Sequence, residues 1–182
     1  MQEEVIKQDP VDFVSLDLVK KHLRIESDFN EEDELLQMFM DSAVNQVENF
    51  IERPITKQTT IYTQPTFKEF VFERKADNDT IEKVEYWSDE NGDAVELPAT
   101  SFSVSNINSE LRRVSFKDLP NADVVKVAVY VAQGYNESDL PNAIKQAMLL
   151  MVTESYEKRE NRTAVNFTTA EKLLNPYRKW KV

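Results

Sequence analysis

Leu140–Glu160, LPNAIKQAMLLMVTESYEKRE, is the stretch on which the fold reading turns. Just upstream, Ser138 or Asp139 offers a side-chain oxygen to cap free N–H groups, and Pro141 suits a first helical turn because it has no N–H to leave unpaired. From there Ile144, Ala147, Met148 and Met151 recur at i, i+3, i+4 and i+7, one face of an α-helix. Leu149, Leu150 and Val152 fall outside that stripe. At about 100° per residue the apolar positions cover well over half of the circumference, and Lys145, Gln146 and Thr153 are the polar remainder. Such a helix must be covered from more than one direction. Two readings follow. It is an ordinary core helix, or the surplus Leu149, Leu150 and Val152 meet another subunit.

Two further helices precede it. Ser15 caps SLDLVKKHLRI, which puts Leu16, Val19 and Leu23 on one side and Lys20, Lys21, His22 and Arg24 toward the C-terminal end, where the helix dipole favours cations. The single histidine, His22, sits among these lysines and reads as a surface residue. Asn30 then caps a longer helix with an acidic first turn, Glu31–Glu34, and Pro54 ends it. Along this second helix Leu36, Met40, Ala43, Val47 and Phe50 step by four and three, the spacing of a seam against another helix. Leu36 and Met40 therefore join Leu149, Leu150 and Val152 as candidate subunit-interface residues.

From Gln58 the character changes to short β-rich segments separated by turn residues: Thr59–Thr63, Glu69–Phe72, Ile81–Trp87, Ala94–Leu97, Phe102–Val104, Leu111–Phe116 and Val124–Ala132. In the last of these, apolar residues occupy both alternating sets, so both faces are expected to be covered. Asp89–Asp93 (DENGD) hints at a calcium loop. However, Gly falls fourth instead of sixth, and Thr100 stands where the twelfth-position Glu belongs. A hairpin turn with Asn-Gly fits better. Beyond the central helix, 161–167 reads as a loop, and Thr168–Glu171 is a capping-box pattern opening a short helix that Pro176 ends or kinks. The fold class is α+β: about four helices, with a small antiparallel β module between the second and third. Residues 1–57 and 136–182 make the helical core, and 58–135 the β module.

Composition excludes several functions. The chain has 182 residues, 30% of them charged, no cysteine and two glycines, Gly92 and Gly134. That leaves no disulfide framework, no thiolate metal site, no Walker A loop and no dinucleotide fingerprint. No metal or cofactor is expected, nor any catalytic residue, because no nucleophile elbow or HExxH motif is present and no pair of carboxylates is singled out by its placement. The polar start MQEEVIKQDP does not resemble a signal peptide, and no segment is long enough to span a bilayer. Net charge is −11, yet Glu157–Val182 holds seven Lys/Arg against three Asp/Glu, net +4, which leaves −15 for the rest. This balance argues against holding DNA by phosphate neutralisation. A basic end on an acidic body suits docking to an acidic surface, or is simply solvated.

Two motifs together resemble the head–tail connector (head-completion adaptor) proteins of long-tailed bacteriophages. The first runs from KKHLRI (Lys20–Ile25) through the acidic EEDELL (Glu31–Leu36) to VENFIERPI (Val47–Ile55). The second is QGYNESDLPNAIKQAMLLMVTESYEKRE (Gln133–Glu160), followed by LLNPYRKW (Leu173–Trp180). The β segment between them looks like an elaboration on a compact connector. The resemblance implies a non-enzymatic virion protein of the neck, made in the bacterial cytoplasm. Its copies form a ring, typically of twelve, below the portal; the ring extends the DNA channel and carries the stopper or tail-completion protein. It also implies that Tyr177, Arg178, Lys179, Trp180 and Lys181 contact the portal, and that DNA passes through without specific binding. The rival readings are a small terminase-like nucleic-acid-binding ring protein, which wants a basic helix-turn-helix, a carboxylate-based hydrolase, and an unrelated acidic adaptor outside phage particles.

Overall fold

The computed structural model describes residues 1–7, 12–75, 79–90, 92–159 and 168–179. The chain divides into two units, Met1–Asp9 with Lys57–Gly134, and Pro10–Thr56 with Tyr135–Val182.

The second unit is helical: α1 (Leu16–Leu23), α2 (Asp33–Ile51), α3 (Asn142–Glu157) and α4 (Thr168–Leu174). Ser15 caps α1 as expected, its hydroxyl accepting the Leu18 N–H at 3.3 Å. The helix closes on Arg24 in the left-handed region, φ 61°, with the Ile25 N–H donating back to the Lys20 carbonyl at 2.9 Å. α2 begins at Asp33, not after Asn30. The Asn30 side-chain oxygen accepts from the Lys20 ammonium at 3.1 Å, and Glu32 stands at the cap position. Glu52, φ 56°, ends α2 two residues before Pro54. The carboxylate of Glu48 then accepts the N–H groups of Ile55 and Thr56 at 2.8 Å each, satisfying donors that leave the helix without a ladder partner. Pro141 stands at the cap of α3, and its carbonyl accepts the Ile144 N–H. Ser138 and Asp139 do not cap it; Asp139 instead accepts from the Asn136 amide (2.6 Å) and the Ser138 hydroxyl (2.8 Å). α4 starts at Thr168 and passes into a 3-10 turn, Asn175–Tyr177, that takes in Pro176.

α3 packs against α1, α2 and α4. It brings Ile144, Ala147, Met148, Met151 and Val152 into a core with Val19, Leu36, Met40, Ala43, Val47 and Ile51, all buried. Removing each large apolar side chain from water stabilises this unit by about 1.5–3 kcal/mol.

The other unit is a sandwich of two antiparallel sheets. The larger has strand order β1-β2-β8-β4-β5, from Gln2–Lys7, Gln58–Gln64, Lys126–Gln133, Thr80–Trp87 and Val95–Glu96. The smaller is β3-β7-β6, from Phe70–Glu73, Leu111–Phe116 and Phe102–Asn106. Tyr62, Phe70, Phe72, Val84, Val114, Val127, Val129 and Val131 interdigitate between the sheets. The valines of β8 supply one alternating set. Its other set includes Ala128 and Tyr130, and a Lys83 ammonium lies 4.4 Å above the Tyr130 ring. Partial burial and the bond to Glu85 push the Tyr130 phenol up to about 12.

At one end of the sandwich the core turns polar. The Gln133 side-chain oxygen accepts from Thr60 (2.6 Å) and Gln58 (3.3 Å), while its amide donates to Asp79 (3.3 Å). Asp79 also receives the Lys75 N–H at 2.7 Å, and its carbonyl accepts from Arg112. Mutual satisfaction is what makes burial of these groups tolerable. β1 is the element that the sequence reading misses. Residues Gln2–Lys7, read there as part of the helical core, pair with β2 from Gln2↔Thr63 to Lys7↔Gln58.

Candidate assembly surfaces

The sequence reading names ten residues for contacts between molecules, and the structure separates them. Leu36 (0% exposed), Met40 (3%) and Val152 (2%) lie in their own subunit's core. Their apolar seam is filled by helix packing within the unit, so they have no surface to offer a neighbour. Leu149 and Leu150 are half-buried on the flank of α3. The Thr153 hydroxyl donates to the Leu149 carbonyl at 2.8 Å, which turns that polar residue back onto its own helix and leaves the leucines as the flank's surface.

The basic end is seated on α2. Arg178 brings its guanidinium over the Phe50 ring, 5.2 Å from the centroid, and to 3.9 Å from the Glu52 carboxylate. The Lys179 N–H donates to the Ile51 carbonyl at 2.9 Å. Tyr177, Arg178 and Lys179 are half-buried, whereas Trp180 and Lys181 lie outside the described residues.

A second polar group ties α3 to the start of α2. The Tyr156 hydroxyl donates to Glu32 at 2.6 Å, and Arg159 reaches the other Glu32 oxygen at 2.8 Å while stacking 4.1 Å from the Tyr156 ring. The hydrogen bond from Tyr156, then that from Arg159, holds the Glu32 carboxyl below its ordinary range; the same bond to Glu32 raises the Tyr156 phenol.

Charge gives this unit a direction. From Ile25 to Glu52 there are nine carboxylates (Glu26, Asp28, Glu31, Glu32, Asp33, Glu34, Asp41, Glu48, Glu52) and no Lys or Arg. Asp33, Glu32, Glu48 and Glu52 are engaged within the subunit, as above. Glu26, Asp28, Glu31 and Glu34 are exposed, together with Phe29 and Met38. An anionic shoulder of this kind repels phosphate.

Among the described residues no three His, Cys, Asp or Glu side chains converge to hold a metal ion, and no helix is long and apolar enough to cross a membrane. A cavity of about 300 Å³ beside α2 and α3 is lined by Gln46, Asn49, Phe50, Met151 and Glu171. Another, of about 410 Å³, lies against Thr63, Pro65, Trp87, Val125, Lys126 and Glu90 in the sheet unit. Each contains one carboxylate, so neither has the pair that acid/base hydrolysis needs.

Comparison with known proteins agrees with the resemblance read from the sequence. The family model of the phage gp6-like head-tail connector protein matches residues 13–95, which takes in α1, α2 and the strands through β4 into β5. Among solved structures, a chain in the neck of an empty gene transfer agent (GTA) particle computed with C6 symmetry superposes with a TM-score of 0.68 at 16% identity, covering 100% of this chain and 97% of that one. A chain of the native GTA virion gives 0.69 at 16%, over 98% and 96%, and one from the native GTA neck computed with C12 symmetry gives 0.64 at 14%, over 98% and 97%. The shared fold therefore includes the β unit as well as the helices. No curated protein matches the chain.

Proposed function

We propose that this chain is a head–tail connector: a structural, non-enzymatic adaptor of the neck of a tailed bacteriophage or a similar particle. The connector match over residues 13–95 carries this reading, and the likeness of fold along the whole chain to proteins of assembled particles supports it. Identical copies form a ring, of twelve, below the portal, extend the DNA channel and present a platform to the tail-completion protein. Leu149 and Leu150 contribute to the contact between subunits. The basic end, Tyr177–Lys181, docks on the portal. A chain of net charge −11, with −15 outside its basic end, lets DNA slide without being held. In this reading the β unit is an insertion that elaborates a compact helical connector.

The test is to image the purified protein alone and with its portal, and to titrate it with duplex DNA. Annular particles coaxial with the portal are expected, with no DNA shift at near-physiological salt. A chain that stays monomeric and ignores the portal overturns the connector reading; a micromolar or tighter DNA complex overturns the repelling channel.

A further inference from the structure

Resting on the ring reading above, we infer that neighbouring copies share the smaller sheet: the edge of β6 in one copy pairs in parallel with the edge of β3 in the next. A rotation that carries one copy onto its neighbour carries each sheet onto its own equivalent. The core-facing side therefore stays on one side of a joined sheet only where like extends like. The edges of the smaller sheet are β3 and β6, each antiparallel to β7 and so parallel to each other. β6 (FSVSN) lies in a run without charge, Leu97–Ser109, in a chain 30% charged. Edge strands that stay solvated are blunted by charge, proline or a bulge, and β6 has none of these. On β3, Phe70–Phe72 are uncharged, whereas the larger sheet ends in β1, with Glu3, Glu4 and Lys7, and in β5, of two residues.

The main chain presents the groups that this pairing needs. The Ile107 N–H donates to the Leu111 carbonyl and the Lys117 N–H to the Ser101 carbonyl. In that phase Ser103 and Ser105 bond to β7, and Phe102, Val104 and Asn106 turn N–H and C=O away from it. On β3 the Arg74 N–H donates to the Glu110 carbonyl, so Phe70 and Phe72 bond to β7 and Val71 turns its groups outward. With Val104 set opposite Phe72 of the next copy, its N–H reaches the Val71 carbonyl there.

The space beside β3 is open. β3 lies beneath β2, where the Tyr62 ring is 5.6 Å from Phe70 and 5.8 Å from Phe72. β1 flanks β2, and its Val5 lies opposite the buried Thr60, hence on the core side, yet is 43% exposed. Val104 lies opposite the buried Val114 and is likewise core-facing and 42% exposed. An incoming β6 fills the slot under β1, with Val104 facing Val5 across the sandwich. Curvature accommodates the wider sheet outside. Three strands per copy on the inner sheet and four long ones on the outer differ by about 4.8 Å of arc; over a sheet separation of about 10 Å that is about 27° per copy, or roughly thirteen copies, close to the proposed twelve. The two edges are different surfaces of one subunit, so the contact is heterologous and repeats head to tail.

The chain has no cysteine, so engineered thiols report cleanly. Val71, Ser103 and Ser105 are exposed on the side away from the core. Val71→Cys is combined in turn with Ser103→Cys and Ser105→Cys. Rings are checked by electron microscopy, oxidised and run without reductant. At least one double variant is expected to give a ladder of multimers, while each single variant runs as monomer. Rings without a ladder overturn the strand pairing and leave the ring reading standing. Covalent dimers from either serine variant alone mean that β6 meets a second β6, which also overturns it. Failure of the parent to form rings removes both readings. As a second measurement, Val104→Pro deletes an N–H that β7 does not use. It is expected to abolish rings while keeping the monomer's circular dichroism, whereas Ser105→Pro, which deletes one that β7 does use, lowers the urea midpoint. Rings unchanged in Val104→Pro again refute the pairing.

Discussion

The Tyr156 hydroxyl and the Glu32 carboxylate lie 2.6 Å apart, and together with Arg159 they bolt the end of α3 to the residue that caps α2. Glu32 is held below its ordinary range, first by the hydrogen bond from Tyr156 and then by that from Arg159. A depressed carboxyl stabilises the fold above its unfolded pKa, and the contribution is lost as pH falls through the lower folded value. The melting temperature of the parent should exceed that of Glu32→Gln at neutral pH, and the gap should narrow as pH falls below the usual carboxylate range. A gap independent of pH between 7 and 3 refutes the assignment.

Lys20, 4% exposed, is a second internal fastening. Its ammonium donates to Asn30 Oδ1 (3.1 Å) and the Ser27 carbonyl (3.4 Å) and lies 2.6 Å from Asp33 as an ion pair. Lys20→Ala leaves these acceptors without their cation, at a cost of about 2 kcal/mol, less than for a fully buried pair because Asp33 remains partly solvated. Urea titration measures it. Pairing Lys20→Met with Asp33→Leu should restore part of the loss.

Arg24 sits at φ 61° with its side chain exposed. Arg24→Gly relieves the left-handed strain at the end of α1 and should raise stability by about 0.5–1 kcal/mol. An unchanged or lower urea midpoint means that the side chain contributes a contact that offsets the strain.

Leu149→Asp and Leu36→Asp separate surface from core. Leu149 is half-buried and Leu36 is fully buried. The first should leave a folded monomer that no longer assembles; the second should fail to fold, because an unpaired charge cannot be accommodated there. Circular dichroism and sedimentation distinguish the two. Loss of fold in Leu149→Asp removes it from the subunit contact.

Truncation after Asn175 removes Arg178 and Lys179 from the end of α2. Stability should fall by about 1–3 kcal/mol, from loss of the part-exposed Arg178–Glu52 pair, the Arg178–Phe50 contact and the Lys179 N–H bond to Ile51, while co-sedimentation with portal should weaken several-fold. Portal binding that survives the truncation rules the segment out as the dock.

Long amphipathic elements were legible in the sequence, and elements without a buried face were not. The spacing Ile144–Met151 marks α3, and Val127, Val129 and Val131 mark the inner face of β8. β1 escapes because periodicity reports burial, and all of its residues are exposed; main-chain pairing with β2 and the Lys75–Glu3 ion pair hold it in the sheet. The start of α2 lies two residues later than the sequence suggests, because nothing local to Asn30 shows that Lys20, ten positions earlier, takes its side chain. The interface residues divide on the same principle. A 3-4 apolar repeat states that Leu36 and Met40 are covered, but not whether the cover comes from the same chain or another copy. Tyr156 and Arg159 were missed because their partner, Glu32, is over a hundred residues away in sequence.

The strand order has a consequence for biosynthesis. β8 lies between β2 and β4, although it is the last strand to leave the ribosome. Until Gln133 has emerged, the large sheet lacks its middle, and the earlier strands await their partner with hydrogen-bonding edges bare. A nascent chain stalled before that point is therefore the species most exposed to aggregation and most in need of a chaperone.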